Sequence, residues 1–365
     1  MSHVQATCQF IAKEYGVQPN KSWGDLPAGA LRSWWDQNNC NAFIPAEAAQ
    51  PTPALALGTC AYIGNWAAAA RPDLLRKLDR LCVAFWSLDA QGQITGRVPA
   101  FEESVRGLAR QTLVSLGGWG NCATFSAVFG SAALRAAAVA NLGAAITAAG
   151  FQGLDLDWEF PSAPADPASM VAFLRAFKTA FPGLVVTIAG SSQPASFYAA
   201  VAADLAAAVD AVHVMTYDYV GSWNPTMQYN STVAEAQVTL TSYELLGFPT
   251  AKLWLGSAWY GRECSVASTA NNGIGSKLLS TTDMSFADIA TQRLGQQGWL
   301  RVWDANEATP ALVNAAGGKV ITYEDANAVQ SKRAWATKQG LGGIFCWAWG
   351  QDDSVGTLAH TLLGI

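Results

Sequence analysis

The chain has 365 residues, of which 51% are hydrophobic and only 13% are charged. That length allows one large domain with an ample core and a small additional segment. The formal net charge is −5, which argues against nucleic acid or an anionic membrane surface as the main partner. The composition therefore favours a neutral or weakly charged ligand.

The N-terminal part differs in composition from the rest. Residues 1–43 show helical patterning, and residues 44–58 are rich in proline and alanine, which is typical of a linker. The first ten residues, MSHVQATCQF, lack the basic head and apolar core of a secretory signal peptide. The alanine-rich stretch at 131–149 is interrupted by Arg135 and Asn141, which predicts a soluble helix and not a membrane span.

From residue 59 onward, short apolar runs alternate with longer helical segments. The eight runs are AYIGNW (61–66), LCVAFW (81–86), QTLVSLGGW (111–119), GLDLDWEF (153–160), GLVVTIAG (183–190), AVHVMTYDY (211–219), KLWLGSAWY (252–260) and GGIFCWAW (342–349). Strands alternating with helices predict parallel βαβ units, and eight of them fit an α/β fold of the (β/α)8 TIM-barrel type. The stretch of about 262–320 is too long for one loop and one helix, so we expect a small insertion after strand seven of the 59–365 barrel.

The fourth run carries three acids at alternate positions, Asp155, Asp157 and Glu159. Alternate residues of a strand share a face and lie roughly 6.6 Å apart. In an antiparallel sheet this pattern would be an acidic face in water, but strands of a parallel barrel are buried on both faces. Crowded, buried carboxylates have raised pKa values, so one of them can stay protonated near neutral pH. Glu159 is nearest the C-terminal end of the strand, where barrel active sites open, and is the expected general acid.

Cysteine and asparagine patterns give weaker expectations. Cys8 and Cys40 bracket the N-terminal segment, and a disulfide bond between them would imply an oxidising compartment. Cys82 and Cys346 lie in apolar runs and are expected to be buried. The pairing of Cys60, Cys122 and Cys264 is left open. Asn20 and Asn230 begin N-glycosylation sequons, and His213 is expected to be a buried, neutral imidazole without a metal.

Five ordered motifs together resemble the family 18 glycoside hydrolases, the chitinases and their relatives. The motifs are SLGGW (115–119), QGLDLDWE (152–159), MTYDY (215–219), WYGR (259–262) and GGIFCWAWGQDD (342–353). The resemblance implies a retaining, substrate-assisted mechanism in which the N-acetyl oxygen of the substrate attacks the anomeric carbon. It implies that Glu159 protonates the leaving oxygen, that Asp157 holds the acetamido N–H with Asp155 behind it, and that Tyr217 binds the acetamido group.

The resemblance implies further substrate contacts, and no cofactor or metal. The residues concerned are Asp218, Trp347, Trp119, Trp223, Arg262, Met215 and Gly118. Trp347 is expected to form the floor under the cleaved sugar, with Trp349 as the competing choice. Arg262 could instead be a solvated surface arginine, and the two rim tryptophans could be packing residues.

The pattern departs from the family at Gln152, where the family usually has Asp, and this leaves room for a weakened catalyst. The favoured function is hydrolysis of β-1,4-linked N-acetylglucosamine polymers by a secreted monomer acting on chitin and chitooligosaccharides. The alternatives are a chitin-binding protein without turnover and an enzyme that cleaves the chitobiose core of N-glycans. Residues 1–43, with Trp23, Trp34 and Trp35, are expected to be either a carbohydrate-binding module or a structural cap.

Overall fold

A computed structural model describes residues 56–67 and 71–365 of the chain. The N-terminal segment 1–43, nearly all of the linker, the Cys8 and Cys40 pair and the Asn20 sequon lie outside the described residues. No helix among the described residues is long and apolar enough to cross a membrane.

Eight parallel strands form a closed barrel. They are β1 (Gly58–Gly64), β2 (Arg80–Leu88), β4 (Gln111–Gly117), β5 (Gly153–Asp157), β6 (Val185–Gly190), β7 (Ala211–Val214), β8 (Leu253–Ala258) and β14 (Gly343–Trp347). Each pairs with the next, and β1 closes the ring by pairing with both β2 and β14. Every one of these strands overlaps one of the eight apolar runs, so the predicted (β/α)8 barrel is confirmed.

Helices surround the barrel, and several begin at sequence signals for a helix start. They are α1 (Pro72–Leu75), α2 (Pro99–Val105), α3 (Phe125–Gly130), α4 (Ala132–Ala148), α5 (Asp166–Ala180), α6 (Pro194–Tyr198), α7 (Ala202–Ala208), α8 (Val233–Leu245), α9 (Phe286–Gln292), α10 (Ala326–Gln339) and α11 (Thr357–Leu363). Short 3-10 turns occupy Ala199–Val201, Thr250–Lys252, Ala270–Gly273 and Trp349–Gln351. Thr232 caps α8 and Asp325 caps α10, each accepting a backbone N–H three residues on. Gly340 ends α10 with φ 73°, a conformation that glycine adopts without strain.

The strands separate two apolar cores. Even-numbered residues of β5, such as Leu154 and Leu156, face outward and pack under the helices. A smaller cluster fills the barrel interior and includes Tyr62, Leu113 and Phe345. Because both faces of every barrel strand are covered, the odd-numbered acids of β5 point into the barrel and are removed from water.

An antiparallel sheet is inserted between β8 and α10. Its strands are β9 (Tyr260–Val266), β10 (Leu278–Ser285), β11 (Leu300–Asp304), β12 (Thr309–Asn314) and β13 (Lys319–Thr322), in the order β10-β9-β13-β12-β11. The two-residue strand β3 (Ile94–Thr95) pairs with β2 instead. The insertion thus follows barrel strand seven, as expected, and starts two residues before the predicted boundary at 262.

Candidate active site

Asp155 is the innermost of the three acids on β5 and the residues that follow it, and it is fully buried. Its carboxylate accepts hydrogen bonds from the hydroxyls of Thr187 (2.6 Å), Ser115 (2.8 Å) and Tyr62 (3.0 Å). Burial raises the pKa of Asp155, and these three donors oppose that rise because they stabilise the anion. Of the three carboxylates, the innermost one therefore receives the most hydrogen bonds from protein side chains.

Asp157 lies between the other two acids and is 4% exposed. Its Oδ1 atom has no hydrogen-bond partner within the described part of the chain. Burial, followed by the charges of Glu159 and Asp155, raises the pKa of Asp157 well above its ordinary range. A buried carboxyl between two others, with one oxygen unpaired, is suited to carrying a proton and to changing partners.

Glu159 follows the last residue of β5 and opens onto the mouth of the barrel. Burial is the main cause that raises the pKa of Glu159 to about 7, and the charge of Asp218 adds to it. The Glu159 backbone N–H contacts the Cys122 sulfur at 3.4 Å, and that thiol donates to the carbonyl of Asp157 at 3.3 Å. A carboxyl with this pKa can give and take a proton near neutral pH.

Trp158, between these acids, points away from the barrel. Its ring packs against Phe125 and Phe129 with centroid distances of 5.8 and 5.4 Å. The strand alternation thereby fixes which side chains reach the cleft and which anchor the helix layer.

Tyr217, Met215 and Asp218 reach the cleft from the segment after β7. Tyr217 is buried, which raises its pKa well above its ordinary range and keeps its hydroxyl protonated as a hydrogen-bond donor. The Asp218 carboxylate accepts hydrogen bonds from the Tyr260 hydroxyl and from Arg262, both at 2.5 Å.

Arg262 lies on β9 and is buried, so it is not the solvated surface arginine that was the alternative. It binds Asp218 of the barrel and, at 2.7 Å, Asp283 of the insertion. Its guanidinium carbon is 5.1 Å from the ring centre of Trp223, within the range of a cation–π contact. Arg262 therefore joins the inserted sheet to the edge of the cleft.

Aromatic rings form the floor and rims of the cleft. Trp347 lines the cleft and stacks on Phe85 at 5.6 Å with an interplanar angle of 20°. Trp349 is buried against Trp259, outside the cleft. Trp119 and Trp223 on the rims are 78% and 62% exposed, so neither is a core packing residue.

Gly118 has a geometric role at the cleft wall. It has φ 86°, and a Cβ atom there would lie 2.5 Å from the Phe85 ring. Its N–H donates to the carbonyl of Asp157 at 2.8 Å. A side chain at this position would displace the aromatic floor.

The cleft has a volume of about 800 Å3 and brings together all the predicted site residues except Asp155, which lies beneath it, and Gly118, which shapes its wall. Residues that were not predicted as site residues also line it, among them Tyr62, Phe85, Phe160, Gln193, Tyr260, Asp283 and Gln351. Tyr260 falls within the WYGR motif and could have been found there. Phe160 directly follows Glu159, but nothing in the sequence indicates that its ring faces the cleft.

Gln152 is exposed and lies just before β5, remote from the carboxylates. Its side-chain oxygen accepts from the N–H of Thr112 at 2.8 Å, and its amide donates to the carbonyl of Gly150 at 2.6 Å. Gln152, the residue that departs from the family pattern, therefore joins the start of β5 to β4 and does not enter the site.

The structure bears on three expectations, which concern glycosylation, buried cysteines and disulfide bonds. Asn230 is 1% exposed, so its sequon is not accessible to glycosylation in the folded chain. Cys82 and Cys346 are buried, as predicted. The five cysteines within residues 56–67 and 71–365 are free thiols, so no disulfide bond is present in that part of the chain.

The fold and the site define a class of protein. An acid titrating near neutral pH stands at the C-terminal mouth of a (β/α)8 barrel, above two buried carboxylates and beside a cleft with aromatic walls. That combination is characteristic of a glycoside hydrolase.

Comparison with known proteins places the chain within that class. The sequence profile described as Glycosyl hydrolases family 18 matches residues 59–352, and the chain belongs to this family. It is 28% identical over 278 residues to Chitinase A1 of Niallia circulans, a match covering 65% of this chain and 40% of that protein. It is 29% identical over 289 residues to Probable chitinase 2 of Drosophila melanogaster, covering 70% and 60%. The chain thus spans about 40 to 60% of the length of these relatives.

Solved structures share the fold. A chitinase from Rhizomucor miehei matches with a TM-score of 0.77 and 23% identity, over 84% of this chain and 99% of that chain. A family 18 N-acetylglucosaminidase from Paenibacillus barengoltzii matches with a TM-score of 0.77 and 22% identity, over 84% and 99%. At these identities the likeness describes the fold alone.

Proposed function

We propose that the protein is a chitinase that hydrolyses β-1,4 linkages between N-acetylglucosamine units by a retaining, substrate-assisted mechanism. The observation that carries the proposal is the ladder Asp155, Asp157 and Glu159, with the pKa of Glu159 raised to about 7. The names of its relatives, several of them chitinases, support the substrate class.

In the proposed reaction, Glu159 protonates the glycosidic oxygen and the acetamido oxygen attacks the anomeric carbon. Asp157 turns to accept the acetamido N–H, and the Tyr217 hydroxyl donates to the acetamido oxygen. Glu159, now a carboxylate, removes a proton from the water that opens the oxazolinium. The sugar bound over Trp347 stacks its C–H face on the ring, while Trp119, Trp223, Arg262 and Asp218 contact neighbouring units.

The protein is further proposed to act outside the cell as a monomer, since chitin is an extracellular polymer and the cleft is built within one chain. The second candidate is a chitin-binding protein without turnover. The presence of Glu159 and the remoteness of Gln152 from the cleft favour hydrolysis over that alternative.

The test is incubation with the N-acetylglucosamine hexamer, with products resolved by anomer. Shorter oligomers appearing first as the β-anomer are expected, together with a loss of about 10²–10⁴ in kcat for Glu159→Gln. The exposed Glu103→Gln variant is the matched control and should keep the wild-type rate. A hexamer that binds by calorimetry but is not cleaved would favour the binding protein.

A further inference from the structure

Beneath the carboxylate ladder, four buried polar side chains form a continuous line across the barrel. Arg80 at the start of β2 contacts Nε2 of His213 on β7 at 3.0 Å. Nδ1 of His213 contacts the Tyr62 hydroxyl at 2.8 Å, and that hydroxyl reaches Asp155 at 3.0 Å. None of the four is more than 8% exposed.

The direction of every hydrogen bond in this line follows from chemistry. A guanidinium can only donate, so Nε2 of His213 must be the accepting, unprotonated nitrogen. His213 is then neutral with its proton on Nδ1, which donates to the Tyr62 oxygen. Burial, with the charge of Arg80, lowers the pKa of His213 well below its ordinary range, which agrees with this tautomer. The hydroxyl proton of Tyr62 is left to point at Asp155.

The two ends of the line carry opposite charges that have no direct counter-ion. Within the described residues, no carboxylate lies within 4.0 Å of Arg80, which instead packs over the Trp254 ring at 4.5 Å. Asp155 likewise has no lysine or arginine within that distance, and its nearest basic group is neutral His213 at 3.6 Å. A buried charge without a partner is costly. The line of polarised bonds connects the two charges across the barrel interior.

We propose that Arg80 and His213 are positioning residues, which aim the Tyr62 hydroxyl at Asp155 and hold Asp155 as the anionic member of the Asp155–Asp157 pair. The inference rests on the proposed function, because it says which aspartate of the free enzyme carries a proton that the proposed mechanism uses. In the free enzyme the shared proton lies on Asp157. When Asp157 turns to the acetamido N–H, that proton passes to Asp155, so none is gained or lost.

Apart from Asp157, the groups that face this line are hydroxyls, thiols and aromatic rings. Those facing it are Cys60 on β1, Cys82 on β2, Ser115 on β4, Asp157 on β5, Thr187 on β6, Trp254 on β8 and Phe345 on β14. Burial raises the pKa of the Cys82 thiol well above its ordinary range, so it stays neutral. The two aspartates are therefore the groups whose ionisation the line controls.

The same residues could be considered as metal ligands. The ligand atoms of Cys60, Cys82 and His213 lie within 4.8 Å of one another. Both ring nitrogens of His213 are already engaged, however, and one faces the positive guanidinium of Arg80, which would repel a cation. The arrangement favours the hydrogen-bonded line over a metal centre.

The test measures the pH dependence of kcat/KM on the hexamer for Arg80→Met and Tyr62→Phe. The line favours the anion of Asp155, so breaking it raises the pKa of Asp155 and moves the acid limb to higher pH. On the acid limb, each unit of rise in that pKa should lower kcat/KM roughly tenfold relative to wild type. The basic limb, set by Glu159, should not move, whereas a merely structural defect would lower the rate at every pH. Arg80→Lys keeps a cationic donor and should restore the acid limb.

Thr187→Val supplies a matched control, because Thr187 also donates to Asp155 but is not connected to Arg80. If the effect of Arg80 passes through Tyr62, the Arg80→Met/Tyr62→Phe double variant should shift no further than either single variant. The shifts of Arg80→Met and Thr187→Val should instead add. An unmoved acid limb, or additive shifts in the Arg80 and Tyr62 pair, would overturn the proposal.

A second readout separates this inference from the proposed function. Infrared difference titration of the substrate-free protein, with Asp155→Asn as reference, follows ionisation of Asp155 without catalysis. A wild type that cleaves no hexamer would sink the proposed function, while the infrared shift would still decide the inference. If Arg80→Met does not melt cooperatively, His213→Phe takes its place in both experiments.

Discussion

Three carboxyl groups of the same chemical type lie on β5 and just after it, and they differ in what surrounds them. Asp155 is stabilised as an anion by three hydroxyl donors, whereas Asp157 has an oxygen without a partner. Glu159 is partly exposed at the mouth of the barrel. These differences in surroundings come from the neighbouring strands. The protonation behaviour of each carboxyl group is therefore set by its position along the chain.

Asp218 is predicted to tune Glu159. Its negative charge raises the pKa of Glu159, so Asp218→Asn should lower that pKa and move the basic limb of the pH profile to lower pH. Asp283→Asn is the control, since it also removes one carboxylate from Arg262 but is not among the groups that shift Glu159. Equal displacement of the basic limb in both variants would contradict the prediction.

Glu159 is also predicted to cost stability at neutral pH. Its pKa rises from 4.5 to about 7 on folding. The folded state is therefore favoured by this group below pH 4.5, and that contribution is lost as pH rises through 7. Glu159→Gln should gain about 3 kcal/mol in unfolding free energy at about pH 8 and almost none at about pH 4. Urea unfolding at the two pH values measures the difference, and an equal gain at both would argue against it.

At the level of elements, the inserted sheet is fastened to the barrel by a buried ion pair. Lys332 on α10 lies 2.7 Å from Glu324, two residues after the last strand of the insertion, and also donates to Ser231 at 2.5 Å. Ser231 in turn donates to the carbonyl of Thr216, next to Tyr217. The pair thus holds the end of the insertion, a helix and the backbone behind the cleft in one network.

Removing one partner of this pair is predicted to destabilise the fold. Lys332→Met leaves Glu324 charged and buried without a cation, at a cost of about 3–5 kcal/mol. The exposed pair of Lys178 and Asp210 provides the control, and Lys178→Met should cost less than about 1 kcal/mol. Urea unfolding reports both values. Similar losses of unfolding free energy in the two variants would mean that burial does not determine how much the ion pair contributes to stability.

For the whole molecule, the described barrel closes without residues 1–55, because β1 starts at Gly58 and pairs on both sides. A chain beginning at residue 56 is therefore expected to keep its melting temperature and its rate on soluble hexamer. If residues 1–43 are a carbohydrate-binding module, its binding to insoluble chitin should weaken. Unchanged binding in a pull-down would leave the structural cap as the remaining interpretation.

Much of this architecture could be predicted from the sequence, because barrel strands appear as short apolar runs separated by helical segments. The eight runs located the strands, and the alternation in β5 placed its acids inside. The floor residue Phe85 and the salt-bridge partner Asp283 were missed, since each becomes part of the site only through distant strands. The burial of Arg262 and Asn230 was likewise missed, because it depends on how the insertion packs against the barrel.

The alternation of side chains along β5 also constrains how this sequence can change over evolutionary time. Substitutions at Leu154, Leu156 or Trp158 need only preserve an apolar fit beneath the helices. A single-residue insertion or deletion within the strand would exchange the two faces, sending carboxylates into the outer core and Trp158 toward the barrel axis. The number of residues in this short segment is therefore less free to vary than the identity of many of the residues themselves.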